Sequence, residues 1–496
     1  MKLAYTLGVS GGYHDAAATV INTSGDIVFA AHSERYSKIK NDAELCPELL
    51  SELCAWEYDT VAWYERPWMH NLQRLYSGQR DIGPWTTRGV LRQHLGTWYQ
   101  RPAENEVCFP HHLSHAASGF QTSPFDRATV VVIDAVGEFD TATIWGAEYD
   151  GLGQAQYQCL WRQRYPHSIG LFYSAVTQRL GLRPLDEEYI VMGMAAYGDP
   201  LNHVVQREQL IDTVGEITFK ENLHLGLPAD YLKDYSDYDI AAGAQHLAEE
   251  LIYTVMRRAM ELRWSSNLVY SGGVALNCLA NRALGGFFEK VWIMPCPGDA
   301  GGSLGAAALA YGGRINWTTA YLGRRIPGAY PVNAVLDHLL RTGIVGVASG
   351  RAEFGPRALG NRSLLADPRG VDIKDRVNAI KRRQQFRPFA PVILEELASE
   401  YFDMPHGFPT SPYMQATAVC RRPDLYPAIV HHDGTSRVQT VARDGSGIRE
   451  LLEKWYMLTG CPMLLNTSLN IRGEPMVNDR ADADRFEALY GVRVCS

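Results

Sequence analysis

The chain has 496 residues, of which 46% are hydrophobic and 21% are charged, and its formal net charge is −8 at pH 7. This length exceeds what one hydrophobic core usually serves, so we expect two or more domains, and the composition excludes wholesale disorder. The acidic balance argues against a generally basic nucleic-acid-binding protein, although a local basic groove remains compatible with it.

Cysteine usage and hydropathy predict a cytoplasmic protein. The nine cysteines include no CxxC pair, which favours reduced, buried thiols over a disulfide or zinc framework. The N-terminus enters a strand pattern without the apolar core of a signal peptide, and no apolar run reaches 18 residues. We therefore expect no membrane span.

The chain opens with a strand pattern that recurs about 125 residues later. Residues 3–9, 16–21 and 27–29 predict three strands joined by tight turns. Residues 129–133 and 141–148 predict a second hairpin of the same kind. The repetition indicates a duplicated α/β domain with a cleft between its halves, which is the plan of the actin-like and sugar-kinase-like ATPases.

Aromatic residues concentrate in residues 51–108, which hold five of the eleven tryptophans. Exposed aromatic rings there would suit stacking on a sugar or a base. The alternative, which we favour, is that the rings pack a small helical insertion.

Further along, apolar spacing over residues 237–262 predicts a long core helix. Residues 268–277 are typical of a strand, a Gly-Gly turn and a helix, and residues 300–312 predict a small-residue helix against which something packs closely. Residues 314–331 show no periodicity, and we interpret them as an interdomain linker.

The C-terminal segment is locally basic. Between Arg341 and Glu400 there are eleven Lys or Arg residues against seven Asp or Glu, and six of the cations lie between Lys374 and Arg387. Such a run is usually a solvated helix face. Because it ends in the apolar, turn-forming residues 386–391, an inward-facing anion site is an equally good interpretation.

A second motif suggests a metal. His111 and His115 are four residues apart, a spacing that puts two imidazoles on one face of a helix. An isolated HxxxH pair is more often a chance occurrence. Here Asp134 closes a β-branched strand and Asp299 lies at a loop-to-helix junction, and two histidines with two carboxylates would suit Fe(II) or Mn(II).

Three glycine-rich turns follow predicted strands, at residues 10–15, 271–277 and 298–302. Backbone N–H groups in such turns can face a phosphate, although most glycine turns are only turns. In the first turn, His14 beside Asp15 is a candidate general base, and the alternative is a loop histidine with a structural hydrogen bond.

The C-terminal motifs predict a buried polyanion pocket. Arginines lie among small and apolar residues, together with one lysine and a Ser/Thr loop, at residues 355–363, 381–388, 436–441 and 466–470. No Walker A pattern is present, so nucleotide binding here would not be of that type.

Taken together, the motifs resemble the NodU/CmcH family of O-carbamoyltransferases, whose members carbamoylate nodulation factors and antibiotics. The match runs over nearly the whole chain in the family's order. It includes His14-Asp15, Ser33-Glu34-Arg35, the histidines at 111–115, residues 271–277, 297–302, 353–363, 386–391, 466–470 and 473–477.

The resemblance implies an α/β protein of two domains. Residues 1–325 would form a duplicated actin-like ATPase (sugar-kinase-like) domain that holds the metal and the acceptor. Residues 340–496 would form an α/β domain that makes carbamoyl-adenylate from carbamoyl phosphate and ATP, with Mg²⁺ accompanying the ATP. The carbamoyl group would then pass inside the protein to an acceptor hydroxyl, and AMP would leave.

The resemblance also implies residue roles. Carbamoyl phosphate and ATP would be bound by Arg357, Lys381, Arg387, Arg437 and Ser468, with Lys381, Arg437 and Ser468 acting in catalysis together with His14, the residue nearest the acceptor hydroxyl. The metal, Fe(II) in preference to Mn(II), would be held by His111, His115, Asp134 and Asp299. The nucleotide in the transfer site would be lined by Gly11, Gly12, Gly272, Gly273 and Asn277.

Two positions depart from the family pattern. Ile190 stands where members commonly carry Lys, and Gln384 replaces a carboxylate, so basic and acidic contacts to the nucleotide are in doubt. The chain is also shorter than many members, which leaves the acceptor class open.

Several alternatives remain. We expect a small-molecule or glycoside acceptor before a hydroxymethylated pyrimidine in DNA, and either a monomer or a homodimer. An actin-like small-molecule kinase or ATPase is the alternative of another class, although the HxxxH pair argues against it because such kinases bind Mg²⁺ through carboxylates and phosphates. A non-enzymatic scaffold would need none of these clustered groups. A hydrogenase-maturation carbamoyltransferase would carry CxxC zinc fingers, which the chain lacks.

Overall fold

A five-stranded sheet forms the first half of the N-terminal part. The structure is a computed structural model, and it describes residues 5–99, 103–213 and 215–496. The strands of the first sheet are β1 (Tyr5–Ser10), β2 (Ala17–Asn22), β3 (Ile27–His32), β4 (Tyr58–Trp63) and β5 (Asn105–Cys108). Their order is β3-β2-β1-β4-β5, in which the β3–β2 and β2–β1 pairs are antiparallel and the β1–β4 and β4–β5 pairs are parallel.

A second sheet repeats this arrangement. The next strands are β6 (Arg127–Gly137), β7 (Asp140–Tyr149), β8 (Ala155–Arg164), β9 (Ile211–Thr213), β10 (Thr218–Phe219), β11 (Asn267–Ser271) and β12 (Lys290–Trp292). The order is β12-β11-β6-β7-β8, with the β6–β7–β8 meander antiparallel and β11 and β12 parallel to β6. Each strand thus has a counterpart in the first sheet, which confirms the predicted duplicated α/β fold. The short β9 and β10 form a separate ladder.

Helices surround the two sheets and separate them. They are α1 (Glu34–Ser37), α2 (Pro47–Leu53), α3 (Pro67–Tyr76), α4 (Thr87–Leu95), α5 (His111–Phe120), α6 (Ile169–Arg179), α7 (Glu188–Met194), α8 (His203–Leu210), α9 (Asp237–Glu261), α10 (Cys278–Asn281) and α11 (Asp299–Tyr311). The long core helix predicted at 237–262 is α9, and the strand predicted from 268 is β11.

The closing helix of each half packs against the sheet of the other half. Helix α11 contacts β1 and β2, α5 contacts β6 and β11, and the two helices contact each other. Small residues are required at this crossing, since a Cβ on Gly305 would lie 1.8 Å from the carbonyl oxygen of Ser114. The close packing expected for residues 300–312 is therefore present, and it brings the first turns of α5 and α11 together.

The region 51–108 differs from the expected helical insertion. It contains β4 and β5, which complete the first sheet, in addition to α3 and α4. Trp63 is buried in that sheet, whereas Trp68, Trp85 and Trp98 are 43–46% exposed. The strands were missed because each pairs with a strand distant in sequence: β4 pairs with β1, which lies about 50 residues earlier, and the four-residue β5 pairs with β4.

The C-terminal part contains one six-stranded sheet and smaller ladders. The strands of this part are β13 (Tyr321–Ile326), β14 (Ile344–Ala348), β15 (Gly350–Glu353), β16 (Arg362–Ala366), β17 (Ala390–Leu394), β18 (Phe402–Asp403), β19 (Thr417–Cys420), β20 (Thr435–Arg437), β21 (Gln439–Val441), β22 (Met463–Ser468) and β23 (Val494–Cys495). Its helices are α12 (Val332–Thr342), α13 (Ile373–Ile380), α14 (Ala398–Tyr401), α15 (Gly447–Thr459) and α16 (Arg480–Tyr490). The main sheet has the order β21-β17-β22-β16-β14-β23, and β18, β19 and β20 form a smaller one.

The segment 314–331 is not the irregular linker that the sequence suggests. It contains β13, which pairs antiparallel with β15. This ladder lies against the first sheet, because β13 contacts β3 and the Arg351 guanidinium donates to the Val28 carbonyl over 2.5 Å. The domain limits at 325 and 340 remain predictions.

The helices were compared with what a membrane-spanning segment requires. Within residues 5–99, 103–213 and 215–496, none combines the length and the apolar character that a membrane crossing needs.

Candidate functional site

Four side chains from three elements converge between the two halves of the N-terminal part. His111 and His115 lie on α5, Asp299 begins α11, and Asp134 follows Ile133, where the β6–β7 pairing becomes irregular. The two histidine Nε2 atoms are 3.0 Å apart. Nε2 of His115 lies 3.2 Å from a carboxylate oxygen of Asp134 and of Asp299, and Nε2 of His111 lies 3.4 Å from the same two oxygens.

This donor set fits a divalent cation. The four ligand atoms all lie within 4.8 Å of one another, and the side chains are at most 11% exposed. Two imidazole nitrogens and two carboxylate oxygens directed at one point are ligands that divalent first-row metals such as Fe(II) and Mn(II) accept. The tight spacing arises because the i, i+4 pair shares one helix face, Asp134 lies where β6 leaves its regular pairing with β7, and Asp299 begins α11.

Attraction between the histidines and the aspartates also shifts the pKa values of these side chains. Burial alone would raise the pKa of Asp134, yet the adjacent His111 and His115 hold it well below its usual range. Burial would lower the pKa of His111, but Asp299 and Asp134 raise it well above its usual value. The Gly273 N–H donates to Oδ1 of Asp134 over 3.1 Å, which leaves Oδ2 to face the histidines.

Glu65 supports the group from behind and was missed in the sequence. Its Oε2 lies 3.5 Å from Nδ1 of His111 and 3.1 Å from Nδ1 of His70. A carboxylate at Nδ1 favours the tautomer whose Nε2 is free to bind a metal. Nδ1 of His115 is buried without a hydrogen-bond partner, so only one of the two histidines receives this support. The available signal was the position of Glu65 just after β4, at the carboxyl edge of a parallel strand pair.

His14 lies beside this group. Its Nε2 is 3.6 Å from Oδ2 of Asp299, and its Nδ1 is 3.1 Å from Oδ2 of Asp15. Burial lowers the pKa of His14, but the two carboxylates outweigh burial and raise it to about 9. Asp15 has a left-handed backbone with φ of +53°, a conformation that non-glycine residues adopt at some cost.

Six cations of the C-terminal part line a shared cavity, and one of them, Arg472, pairs with Glu187. Within the described part of the chain, the other five cations form no ion pair with a carboxylate: Arg357, Lys381, Arg383, Arg387 and Arg437. Burial and the neighbouring Arg437 lower the pKa of Arg357 to about 9, and burial with Arg383 and Arg387 holds the pKa of Lys381 well below its usual value. Buried and half-buried cations without carboxylate partners create a strong attraction for a polyanion.

Neutral oxygens hold the lysine in place. The Lys381 ammonium donates to the Ser468 carbonyl, to the Ser468 hydroxyl over 3.2 Å, and to the carbonyl and side-chain oxygens of Asn470 over 2.8 and 3.0 Å. Arg387 lies 4.6 Å from the centre of the Tyr189 ring, and Nε of Arg437 is buried without a partner. Arg383 was not singled out, although it lies in the basic run that was.

The glycines divide into two groups. Gly273 and Asn277 line the cavity, whereas Gly11, Gly12 and Gly272 are not among the described residues that do. Gly272 has φ of +90°, and a Cβ there would lie 2.2 Å from the Ile133 carbonyl oxygen. Glycine is therefore required at position 272 because the backbone there contacts β6, and not because of a ligand.

The two departures from the family pattern lie outside this cavity. Ile190 is 1% exposed and belongs to the apolar core beneath the second sheet, while its neighbours Tyr189 and Met192 line the cavity. The side chain at 190 is thus turned away from any bound nucleotide. Gln384 is also absent from the described lining residues.

One continuous cavity of about 400 Å³ joins the two groups. Its N-terminal end is lined by His14, Asp134 and Asp299, and its C-terminal end by the five cations, Ser468 and Asn470. A single cavity therefore connects the group of two histidines and two aspartates with the cluster of five unpaired cations.

Comparison with known proteins places the chain in a family. The model described as Carbamoyltransferase N-terminus matches residues 90–308, and the one described as Carbamoyltransferase C-terminus matches residues 336–494. Nodulation protein NolNO of Sinorhizobium fredii is 33% identical over 95% of this chain and 76% of its own length. Uncharacterized protein sll1178 of Synechocystis is 32% identical over 97% of this chain and 94% of its own.

A third relative, nodulation protein U of Rhizobium tropici, is 31% identical over 76% of this chain and 72% of its own length. Among solved structures, component A of the Acidaminococcus fermentans (R)-2-hydroxyglutaryl-CoA dehydratase has a TM-score of 0.34 at 15% identity, covering 62% of this chain and 98% of that one. Both halves of the family pattern and a relative of nearly full coverage are present, so the chain belongs to the carbamoyltransferase family and is a carbamoyltransferase related to NodU and NolO.

Proposed function

We propose that the protein forms carbamoyl-adenylate from carbamoyl phosphate and ATP at the cation-lined end of the cavity and transfers the carbamoyl group to an acceptor hydroxyl at the histidine and aspartate end. The observation that carries this proposal is the single cavity lined by both groups. Carbamoyl-adenylate hydrolyses readily, so a closed path between two sites protects it from water.

At the C-terminal end, the chemistry requires charge neutralisation. Carbamoyl phosphate, ATP and water give carbamoyl-adenylate, pyrophosphate and phosphate, so several phosphate charges must be held together. Arg357, Arg387 and Arg437 supply planar guanidinium groups for those oxygens, and Lys381, with Ser468 beside it, supplies a compact charge. Because these groups are fixed before the ligand binds, they stabilise developing charge without reorganising.

At the N-terminal end, His111, His115, Asp134 and Asp299 would hold Fe(II) or Mn(II), which would act as a Lewis acid toward a bound oxygen. His14 lies nearest the open cavity, and Asp15 at its Nδ1 directs its Nε2 inward, where the acceptor hydroxyl is proposed to bind. Asn277 and the N–H groups after Gly272 would contact the nucleotide portion. Attack by the hydroxyl oxygen on the carbamoyl carbon breaks the bond to the phosphate, AMP takes the electron pair, and the hydroxyl proton passes to the unprotonated form of His14.

The acceptor is proposed to be a small molecule or a glycoside in a cytoplasmic reaction. Trp68, Trp85 and Trp98 are each more than two-fifths exposed, and such rings suit stacking on sugars. They suit a base equally, so a hydroxymethylated pyrimidine in DNA is the second candidate.

The test is the identity of the nucleotide product. The purified protein is incubated with ATP, with and without carbamoyl phosphate, and AMP is separated from ADP; hydroxylamine serves as a probe acceptor that traps the carbamoyl group as hydroxyurea. We expect AMP and pyrophosphate only when carbamoyl phosphate is present. ADP formed without carbamoyl phosphate would contradict the proposal and favour a kinase or ATPase.

A matched pair of variants assigns the activity to the cavity. Arg437→Ala removes a cavity cation and is expected to abolish AMP formation. Arg443→Ala removes a side chain that is 78% exposed and pairs with Glu396, and it is expected to leave the rate unchanged. Equal rates for the two variants would show that the cation-lined end is not the adenylation site.

A further inference from the structure

The motif Ser33-Glu34-Arg35 belongs to the N-terminal part, yet its neighbourhood contacts the C-terminal part. His32 ends β3, and its Nε2 accepts a hydrogen bond from the Gly355 N–H over 3.0 Å. Nη2 of Arg35 on α1 donates to the carbonyl oxygen of the same Gly355 over 2.8 Å. Both side chains are buried, with His32 6% and Arg35 3% exposed. The N–H and the carbonyl oxygen of Gly355 in the C-terminal part are thus both hydrogen-bonded by side chains of the N-terminal part.

The segment that follows has a second anchor. Oε1 of Glu353 accepts hydrogen bonds from the backbone N–H groups of Leu359, Asn361 and Arg362 over 2.8, 2.9 and 3.2 Å. Arg357 therefore lies two residues after one anchored position and two residues before another. Its own side chain lines the cavity and has no carboxylate partner in the described ranges.

The backbone at Gly355 lies in close contact with the N-terminal part. Gly355 has φ of +136°, and a Cβ there would lie 2.6 Å from the Pro295 carbonyl oxygen, so the segment is pressed against the N-terminal part. The His32 ring also lies 5.1 Å from the ring of Phe354.

From this geometry we propose that His32 and Arg35 are positioning residues for anion binding, because they fix the Gly355 backbone and thereby direct Arg357 into the cavity. The inference rests on the proposed role of Arg357 as an anion ligand. An imidazole nitrogen accepts a hydrogen bond only when it is unprotonated, and burial together with Arg35 lowers the pKa of His32 to about 4. His32 is thus an acceptor throughout the neutral range.

The Arg35 guanidinium has few hydrogen-bond partners other than Gly355. Its Nε and Nη1 atoms are buried without hydrogen-bond partners, and its Nε lies 3.5 Å from Glu34. A guanidinium buried in this way is costly, and among the described residues the Gly355 carbonyl is the one oxygen that accepts a hydrogen bond from it.

The experiment is a double-mutant cycle on pyrophosphate binding, measured by isothermal titration calorimetry on the full chain. Arg357→Ala is expected to weaken binding at least tenfold, since it removes a charge-assisted contact. His32→Leu is expected to weaken binding about fivefold to tenfold, and the double variant to match Arg357→Ala alone, because residues that act through one another are not additive. Effects that multiply in the double variant, or an unchanged Kd in His32→Leu, would overturn the inference.

Further variants separate positioning from folding. His32→Gln keeps an acceptor oxygen and is expected to bind within about threefold of the parent, whereas Arg35→Met, which removes the donor, is expected to behave like His32→Leu. His406→Leu is the control, since His406 also bonds a distant backbone carbonyl, that of Gly285 over 2.6 Å, without touching the segment at 353–362. A loss in the control as large as that in His32→Leu would assign the effect to general instability and overturn the proposal.

Failure of this inference and failure of the proposed function give different results. Pyrophosphate binding with the expected cycle but without AMP formation would refute only the adenylation reaction. No pyrophosphate binding by the parent protein would remove the anion site, and the positioning role with it.

Discussion

Replacing Arg357 with methionine is expected to stabilise the free protein while weakening its hold on anions. The guanidinium is half-buried beside Arg437, and burial with that neighbour lowers its pKa from the ordinary arginine value to about 9. At ~1.36 kcal/mol for each pKa unit, the drop corresponds to about 5 kcal/mol disfavouring the charged form in the folded state. At pH 7, well below the lowered pKa, the folded protein carries the charge and the full penalty.

Methionine keeps an unbranched apolar stem and removes the charge. Because water in the cavity screens part of the repulsion and some packing is lost, we expect a gain of about 2 kcal/mol in the free energy of unfolding, measured by urea denaturation followed by circular dichroism. Arg376→Met, on α13 and outside the cavity, is the control and is expected to change stability by less than about 0.5 kcal/mol.

Added pyrophosphate should reverse the order of stability. A ligand present at a hundred times its Kd stabilises the folded state by about 2.7 kcal/mol, and only the parent protein would retain that affinity. A less stable Arg357→Met protein without ligand would refute the argument that the cavity holds uncompensated charge, because the guanidinium would then be contributing to the fold.

Four other outcomes follow from the site. His115→Asn should reduce Mn²⁺ affinity at least a hundredfold in equilibrium dialysis, whereas His112→Asn, whose ring bonds Thr143 instead, should not; equal losses would contradict the ligand assignment. Glu65→Gln should cost about tenfold in the same measurement, and an unchanged affinity would remove its supporting role. Gly272→Ala should destabilise the protein by about 3 kcal/mol or more in thermal unfolding, and a stable variant would show that β6 yields. Arg472→Gln should raise the AMP formed for each hydroxyurea trapped, because it removes the ion pair of 2.9 Å to Glu187 beside the cavity; an unchanged ratio would show that this wall does not retain the intermediate.

Part of the group formed by His111, His115, Asp134 and Asp299 was predictable from local rules. The i, i+4 spacing of His111 and His115 determines that their rings share a face, and this holds wherever the helix lies. Asp134 and Asp299 were identified as acidic residues at element ends, and the duplicated topology brings those ends together. Their convergence itself required the crossing of α5 and α11, which depends on small residues in both helices.

Other features depend on contacts that are distant in sequence. Gly272 and Gly273 are adjacent, yet one is pressed against β6 and the other lines the cavity. Ile190 seemed to remove a nucleotide contact, whereas the register of α7 places it in the core. The strand β13 was missed because its partner, β15, is formed by residues 350–353, beyond an intervening helix. No local pattern distinguishes these cases.

The arrangement of the cavity explains why the two parts of the chain occur together. Arg357 lies on a segment whose backbone is contacted by His32 and Arg35 at Gly355, and the Arg472–Glu187 ion pair joins the two parts at a second place beside the cavity. An isolated C-terminal part would lose the partners of Gly355, and an isolated N-terminal part would lose the cation-lined wall of the cavity. If the proposed reaction is right, the labile intermediate made at one end can reach the other only while both contacts are intact. The covalent link between the two parts would then serve the chemistry directly, because residues of both parts line the cavity.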